Sequence, residues 1–552
     1  MVDIEKLKKV ARSLALENAV KFGGRANPGA VIGPLMKLVE GFNPKEHAKE
    51  VNIIVQEVNN LSSEEQKKEF ESLGSVREEK VKEERNLPPL KNAEEGKVIT
   101  RMPPGPSKYA HVGHAISFLI NYMYAKEYNG KCILRFDDTN PDVDAQEYVD
   151  SITDNLTNYL GIKPDSIIFA SDDMDKFLDY AEKLIEQGNA YTCNCPSEKI
   201  SEDRRAEKAC IHRDQNKDEI RKSWEEMKNG TAKDTVLRLK INMQHKNAVM
   251  RDPAIYRVNT NNHYRQKNKY SVWPLYDFES SIEDGLNKVT HVLRTTEFDS
   301  RIELHNYMAT LLGFSEIEYK HYGRANIVGA VTQGREIRKL IESGEYIGWD
   351  DPRLVTLLAL KRRGIVKETF YELTKKAGLS KSNTNIDFTV IAAINRQILD
   401  KSAKRFYFIE NPKEIVVDGA PNQEIILDIH PDNMKAGRRF NTNNSFLIEK
   451  ADDSSDEIRL IDCLNYKEGK FLSTSFQDFN GKNKIHWLPN DKKQIVNVEI
   501  LMPENKTKKG IGEKTIGILD VGDVIQFERF GFCRLDSIDK KNNTFKFYFT
   551  HK

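Results

Sequence analysis

The stretch PGPSKYAHVGH, residues 104–114, carries the densest chemistry in the chain. His111 and His114 stand three residues apart, at the head of a segment whose apolar residues (Val112, Ile116, Leu119, Ile120, Met123) recur at helical spacing. Both imidazoles therefore share one face of a first helical turn. Gly113 places no side chain between them, and a helix N-terminus adds free amides and a favourable dipole. That combination suits a nucleotide phosphate, although a histidine pair alone is more often plain helix surface. A second constellation is Cys193-Asn194-Cys195 followed, after fourteen residues, by Cys210-Ile211-His212. Four soft ligands in two close pairs fit tetrahedral Zn²⁺ of the closed, structural kind; reduced thiols beside a chance histidine are the alternative. Cys132, Cys463 and Cys533 sit singly in apolar runs and read as small core residues.

These residues need a frame. Val98-Ile99-Thr100-Arg101 reads as a short strand, followed by a Pro/Gly turn and the helix that His111 opens, and Cys132 to Phe136 reads as a second buried strand ending in Asp137 and Asp138. Strand, loop and helix in this order are the setting for nucleotide binding in a Rossmann-like α/β sheet. Residues 1–75 are helical in pattern, with Val51, Ile54, Val55, Val58 and Leu61 at a 3.6-residue period. Residues 76–97 are charge-dense and contain prolines, as a linker or exposed helix would. Strand and helix patterns alternate over 98–345, interrupted by an irregular, polar insertion at 191–270 that holds the cysteine cluster. Residues 346–408 are again helical, and Gly348-Trp349-Asp350-Asp351-Pro352 reads as a helix start with Asp351 as N-cap. From 409 to 552 the period changes to two, as in Val496/Val498/Ile500 and Phe545/Phe547/Phe549, with Asn and Gly turns between runs. That grammar predicts an all-β end, as barrels, and Phe527 to Phe532 reads as one of its strands.

The bulk composition narrows the classes. With 552 residues the chain exceeds one core, and about three to five domains are expected. No apolar run approaches the ~18 residues that span a bilayer, and the charged N-terminus is no signal peptide, so no membrane partner is expected and the cytoplasm is the default location. The net charge of +1, from 85 basic and 84 acidic residues, excludes a uniformly basic coat for nucleic acid. Local basic clusters such as Lys361-Arg362-Arg363 remain, each read first as a solvated face.

Arg101 to Ala115 spells RxPPxPSxxxHxGHA and Arg135 to Pro141 spells RFDDTNP. Trp273 to Phe278, His291 to Arg294 and Gly348 to Leu354 follow in order. This series resembles the class I aminoacyl-tRNA synthetases of the glutamyl/glutaminyl branch, closest to its archaeal-type glutamyl members. The resemblance implies ATP-dependent activation of an amino acid as its adenylate, with Mg²⁺, and transfer to tRNA. It also implies that the 191–270 insertion meets the acceptor stem, that 346–408 contacts the tRNA stem, and that the C-terminal barrels bind the anticodon. By resemblance, Pro104, Gly105, His111, Gly113 and His114 contact ATP, with the two histidines catalytic. Arg101 pairs the substrate α-carboxylate, and Asp137 and Tyr276 face its ammonium and side chain. Arg294 stands where glutamyl members carry Arg and glutaminyl members a small neutral residue, which implies L-glutamate, because a guanidinium buried against an amide would be an unpaired charge. An ordinary ion pair of Arg294 with Glu297 is the alternative. The family's second ATP motif, KMSKS, has no lysines here: Val328 to Glu336 reads VGAVTQGRE, leaving Thr332 for the serine and Arg335, also expected to be catalytic, for the lysine. The rivals are a glutaminyl enzyme and a tRNA-binding protein that keeps the fold with little ligase activity.

Overall fold

The computed structural model describes residues 3–21, 24–74, 87–378, 380–432 and 434–552. The first half of the charged stretch at 76–97, up to residue 86, lies outside them. Two compact units are formed, one within residues 1–85 and one within 86–552.

In the first unit, α1 (Ile4–Lys21) contacts α2 (Pro28–Leu38), α3 (Pro44–Asn59) and α4 (Ser63–Leu73). Leu7, Leu14, Val51, Val55 and Val58 fill the space between them with no exposed surface beyond a trace. The period-3.6 apolar stripe of α3 is thus the face turned to α1. A capping box starts α4: the Ser62 hydroxyl accepts the Glu65 amide, and the Glu65 carboxylate accepts the Ser62 amide.

The second unit begins with three parallel strands, β1 (Ile99–Met102), β2 (Lys131–Phe136) and β3 (Ser166–Phe169), adjacent in that order. The helix α5 (Val112–Glu127) connects β1 to β2, and its buried Val112, Ile116 and Leu119 share a core with Cys132, Leu134 and Phe136. Strands covered on both faces read as continuous apolar runs, which is the sequence pattern of β2. An antiparallel sheet follows, β4 (Ala190–Cys193), β5 (Val236–Leu239), β6 (Ala254–Val258) and β7 (Val272–Pro274). The chain then returns to parallel pairing in β8 (His291–Thr295) and β9 (Glu318–Tyr322). The Thr290 amide donates to the Ile99 carbonyl at 3.0 Å, joining the head of β8 to β1. The chain leaves β1 toward β2 on one side while β8 abuts it on the other. A crevice opens at the carboxyl ends of strands where such a connection changes side.

Three helices, Leu357–Arg363, Lys367–Ala377 and Phe388–Leu399, precede a C-terminal β-rich region. Its seven-stranded sheet starts with Arg405–Phe406 and ends with Phe408–Glu410, so both edges are cut from one continuous segment and the sheet nearly closes on itself. Closure removes the free edges that would otherwise invite aggregation.

Two local expectations fail. Asp351 does not cap a helix: the helix begins at Leu357, where the Thr356 hydroxyl accepts the Ala359 amide at 3.1 Å. Asp351 is instead buried, accepting the Ile347 and Arg353 amides and pairing with the Arg353 guanidinium at 2.8 Å, and those turn contacts outcompete helix initiation. Nor is Phe527 to Phe532 one strand. Val524–Phe527 and Gly531–Asp539 form a hairpin whose turn holds Arg529 at φ +62 and Gly531 at φ +142, a backbone that a continuous strand cannot adopt.

Candidate active site

His111 is the N-cap of α5. Its Nδ1 accepts the Gly113 amide at 3.0 Å, while the Nδ1 of His114 accepts the His111 amide at 3.2 Å. A backbone N–H only donates, so in a neutral ring each proton must sit on Nε2. The ring centroids are 4.0 Å apart. Burial, and then the charges of Lys108 and Arg324, lower the His111 pKa to about 4. Burial and the neighbouring His111 push His114 well below the ordinary imidazole value. Both rings are therefore neutral near pH 7 and present Nε2–H donors. A Cβ on Gly113 would stand 2.9 Å from the His111 ring, so only glycine lets that ring fold over the helix end.

The histidines border a cavity of about 510 Å³ that also touches Arg101, Pro104, Gly105, Gly113, Tyr276, Arg294 and Thr332. The sequence-derived candidates converge there with two exceptions. Asp137 does not line the cavity. It is held by Arg135 at 2.6 Å, and burial, opposed by Arg135, raises its pKa. Arg335 lies exposed in the first turn of the helix Gly334–Glu342 and is likewise absent from the lining. Two cations that the sequence reading passed over do line it, Lys108 and Arg324. Lys108 lies inside the PSKYAH loop, where the link between strand and helix was the available signal; Arg324 has no motif around it.

Asp284, also unanticipated, anchors the floor. Its Oδ1 accepts from the Arg101 Nε at 3.1 Å and the Arg135 Nη1 at 2.6 Å, all three side chains being buried. Burial pushes this carboxyl up, but the two guanidiniums outweigh it and hold the pKa at about 2. Two guanidiniums on one carboxylate oxygen keep this buried charge paired, while the Asp284 Oδ2 has no hydrogen-bond partner among the described residues.

Arg294 is the most constrained cation. The parallel register sets it beside His321, and its Nε donates to the His321 Nε2 at 3.2 Å. Its Nη1 donates to the Tyr276 hydroxyl at 3.1 Å, and its guanidinium lies 5.1 Å from the Phe298 ring centre and 5.3 Å from that of Tyr319. Glu297 does not pair with it: that carboxylate accepts from Thr295 and approaches Arg324 at 3.5 Å. The Nη2 of Arg294 is buried without a hydrogen-bond partner among the described residues, and so is the Nη1 of Arg101. A buried N–H left open costs about 1–3 kcal/mol. Arg101 and Arg294 both line the cavity, and two guanidiniums in one cavity are best partnered by two carboxylates.

Comparison with known proteins fits this geometry. Residues 97–401 match the family described as tRNA synthetases class I (E and Q), catalytic domain, and residues 484–536 match the anti-codon binding domain of the same class. The chain belongs to this family. It is 39% identical to the glutamate–tRNA ligase of Pyrococcus furiosus over 97% of this chain and 98% of the relative, and 37% identical to that of Methanocaldococcus jannaschii over 98% and 99%. The Nitrosopumilus maritimus glutamate–tRNA ligase is 36% identical, across 99% of this chain and all of its own length.

Away from the cavity, this synthetase carries a four-ligand cluster. One donor atom from each of Cys193, Cys195, Cys210 and His212 lies within 4.8 Å of every other. The Cys193 and Cys210 sulfurs are 3.8 Å apart, and the Cys195 sulfur is 3.5 Å from the His212 Nδ1. Tetrahedral bonds of about 2.3 Å to sulfur and 2.0 Å to nitrogen imply edges of about 3.8 Å and 3.5 Å. These two edges thus have the dimensions of a tetrahedral metal site. Fully buried Arg238 points its Nη1 at the Cys193 and Cys210 sulfurs, at 3.9 and 3.7 Å, and its Nε donates to the Asp252 carbonyl. Its charge suits sulfurs held as thiolates.

Proposed function

We propose that this chain is a glutamate–tRNA ligase, which activates L-glutamate with ATP as glutamyl-adenylate and transfers the acyl group to tRNA. The observation that carries the choice of amino acid is the pair of guanidiniums lining one cavity, Arg101 and Arg294, each with a buried N–H that has no partner among the described residues. Glutamate has two carboxylates to fill them. Glutamine would leave one guanidinium against a neutral amide, and for that reason the glutaminyl alternative is disfavoured. Arg101 would take the α-carboxylate, and Arg294 with Tyr276 the γ-carboxylate. Asp137, engaged by Arg135, would hold the Arg135–Asp284–Arg101 network rather than touch the substrate.

Adenylate formation brings a carboxylate oxygen onto the α-phosphate and expels pyrophosphate. The Nε2–H donors of His111 and His114 and the amides at the start of α5 would steady the charge on that phosphate. Mg²⁺, where bound with ATP, would neutralise the remaining phosphate charge. Lys108 and Arg324, rather than Arg335, would supply the fixed protein cations. Lys108→Ala is therefore expected to slow glutamyl-adenylate formation about tenfold or more, with Arg335→Ala near wild type in pyrophosphate-exchange rates measured with tRNA present. The reverse ranking would return the phosphate contact to Arg335. The 191–270 insertion would meet the acceptor stem, residues 346–408 the tRNA stem, and residues 409–552 the anticodon region. An aminoacylation assay on total tRNA with labelled glutamate and labelled glutamine tests the whole reading. Charging with neither would favour a tRNA-binding protein, and charging with glutamine would favour the rival enzyme.

Cys193, Cys195, Cys210 and His212 would hold one structural Zn²⁺. Protein purified without chelator is expected to contain about one zinc per chain, with Zn–S near 2.3 Å by X-ray absorption. A zinc content near zero with reduced thiols would end this assignment. Stripping the metal should weaken tRNA binding more than ATP binding, because the cluster lies beside β4 and not in the parallel sheet.

A further inference from the structure

We propose that His321 and Asp299 form a positioning relay that aims the glutamate-reading guanidinium of Arg294, so that amino-acid selectivity depends on a histidine that need not touch the substrate. The proposal rests on the assignment of Arg294 to the γ-carboxylate. Arginine does not lose its proton in proteins, so its Nε–H must donate and the His321 Nε2 must accept. That fixes the tautomer: the proton sits on Nδ1, which donates to the Asp299 carboxylate. Asp299 is half exposed, whereas His321 is 2% exposed at the side chain.

The arrangement leaves Arg294 little freedom. Its Nε is held by His321 and its Nη1 by Tyr276, which directs the remaining Nη2 into a buried place without a partner. A planar guanidinium held at two nitrogens has a defined orientation for the third. Such orientation by an outer partner is what makes a bidentate contact selective. The relay also requires a neutral His321. Protonation would remove the acceptor and set a second cation against Arg294. The groups facing His321 are Arg294 from β8, Asp299 from the turn after β8, the Tyr319 ring from β9 and, at longer range, Lys381.

The test uses the full-length enzyme with tRNA and ATP. Removing an outer partner of this kind is expected to raise the KM for glutamate about tenfold or more. His321→Ala should do so with kcat and the KM for ATP changed less than twofold, and should lower the glutamate-to-glutamine ratio of kcat/KM. His321→Gln, whose amide oxygen can accept in place of Nε2, should recover most of that loss. Burial lowers the His321 pKa from its ordinary value, so in wild type the KM for glutamate should rise only at acid pH, as His321 gains a proton, and in His321→Gln it should stay flat. Unchanged glutamate KM and selectivity in folded His321→Ala would overturn the relay. If that variant fails to fold, equal acid sensitivity of wild type and His321→Gln would overturn it. An Arg294→Cys variant run alongside separates the two claims. Loss of selectivity there with none in His321→Ala refutes the relay alone, and no loss in Arg294→Cys refutes the γ-carboxylate assignment itself.

Discussion

Arg294→Cys is expected to lower the ratio of kcat/KM for glutamate over glutamine by orders of magnitude. In the wild-type cavity the guanidinium already has His321 and Tyr276 as neutral partners, and its remaining N–H is buried and open. A γ-carboxylate entering there completes a charge-assisted contact away from water, whose removal costs roughly 2–5 kcal/mol. Glutamine has no comparable contact to lose, since its amide leaves the cation uncompensated. The small cysteine also relieves the crowding of Tyr276, Phe298 and Tyr319 around position 294, so no new clash should penalise either substrate. Steady-state aminoacylation with each amino acid, at saturating tRNA and ATP, measures the ratio directly. An equal fall for both would mean that Arg294 braces β8 against β9 through His321 and reads nothing.

The site was legible in the sequence wherever chemistry and chain order coincide. His111, Gly113 and His114 lie in one helical turn, so the spacing alone puts them together, and the apolar rows behind them announce the helix. The cysteine pairs were legible for the same reason: each pair is local, and only one closure in space remained to be made. Arg294 could be singled out only by resemblance, and the sequence could not tell a substrate cation from a partner of Glu297. That question turns on a cross-strand register, Arg294 beside His321, which joins residues of two parallel strands with a helix between them. Asp284 escaped notice because one acid among the four of the helix Tyr276–Leu286 looks like surface until two buried arginines are brought to it. The displaced helix start at Leu357 shows the opposite failure. The pattern Asp351-Pro352 is a good local cap, but buried contacts to Arg353 and Ile347 captured the carboxylate first. Arg335 was placed by aligning a loop whose lysines are absent, with no physical pattern to correct the alignment.

His114 should be the most damaging single position for the chemical step. His114→Ala removes a Nε2–H donor aimed from a helix N-terminus, and loss of one such donor commonly costs about 10²-fold or more in the chemical step. It also removes the Nδ1 that accepts the His111 amide at 3.2 Å, a capping contact worth about 1 kcal/mol. Lost rate and lost fold must therefore be separated. His114→Asn does so, because its side-chain oxygen can accept the His111 amide while nothing replaces the Nε2–H. The rate of glutamyl-adenylate formation is expected to fall about 10²-fold in both variants, with the thermal midpoint of the asparagine form close to wild type. An asparagine variant with near wild-type turnover would show that His114 is only a cap. The pH dependence gives an independent check. Burial lowers His111 to about 4 and His114 further below its ordinary value, so neither ring gains a proton until the pH falls well under 6. Between pH 6 and 8 these two groups should leave the adenylation rate flat, because each remains a neutral donor throughout that range. An acid limb near 6.5 that disappears in His114→Asn would mean that the ring titrates as an exposed histidine does, and that its donor reaches the phosphate as an imidazolium.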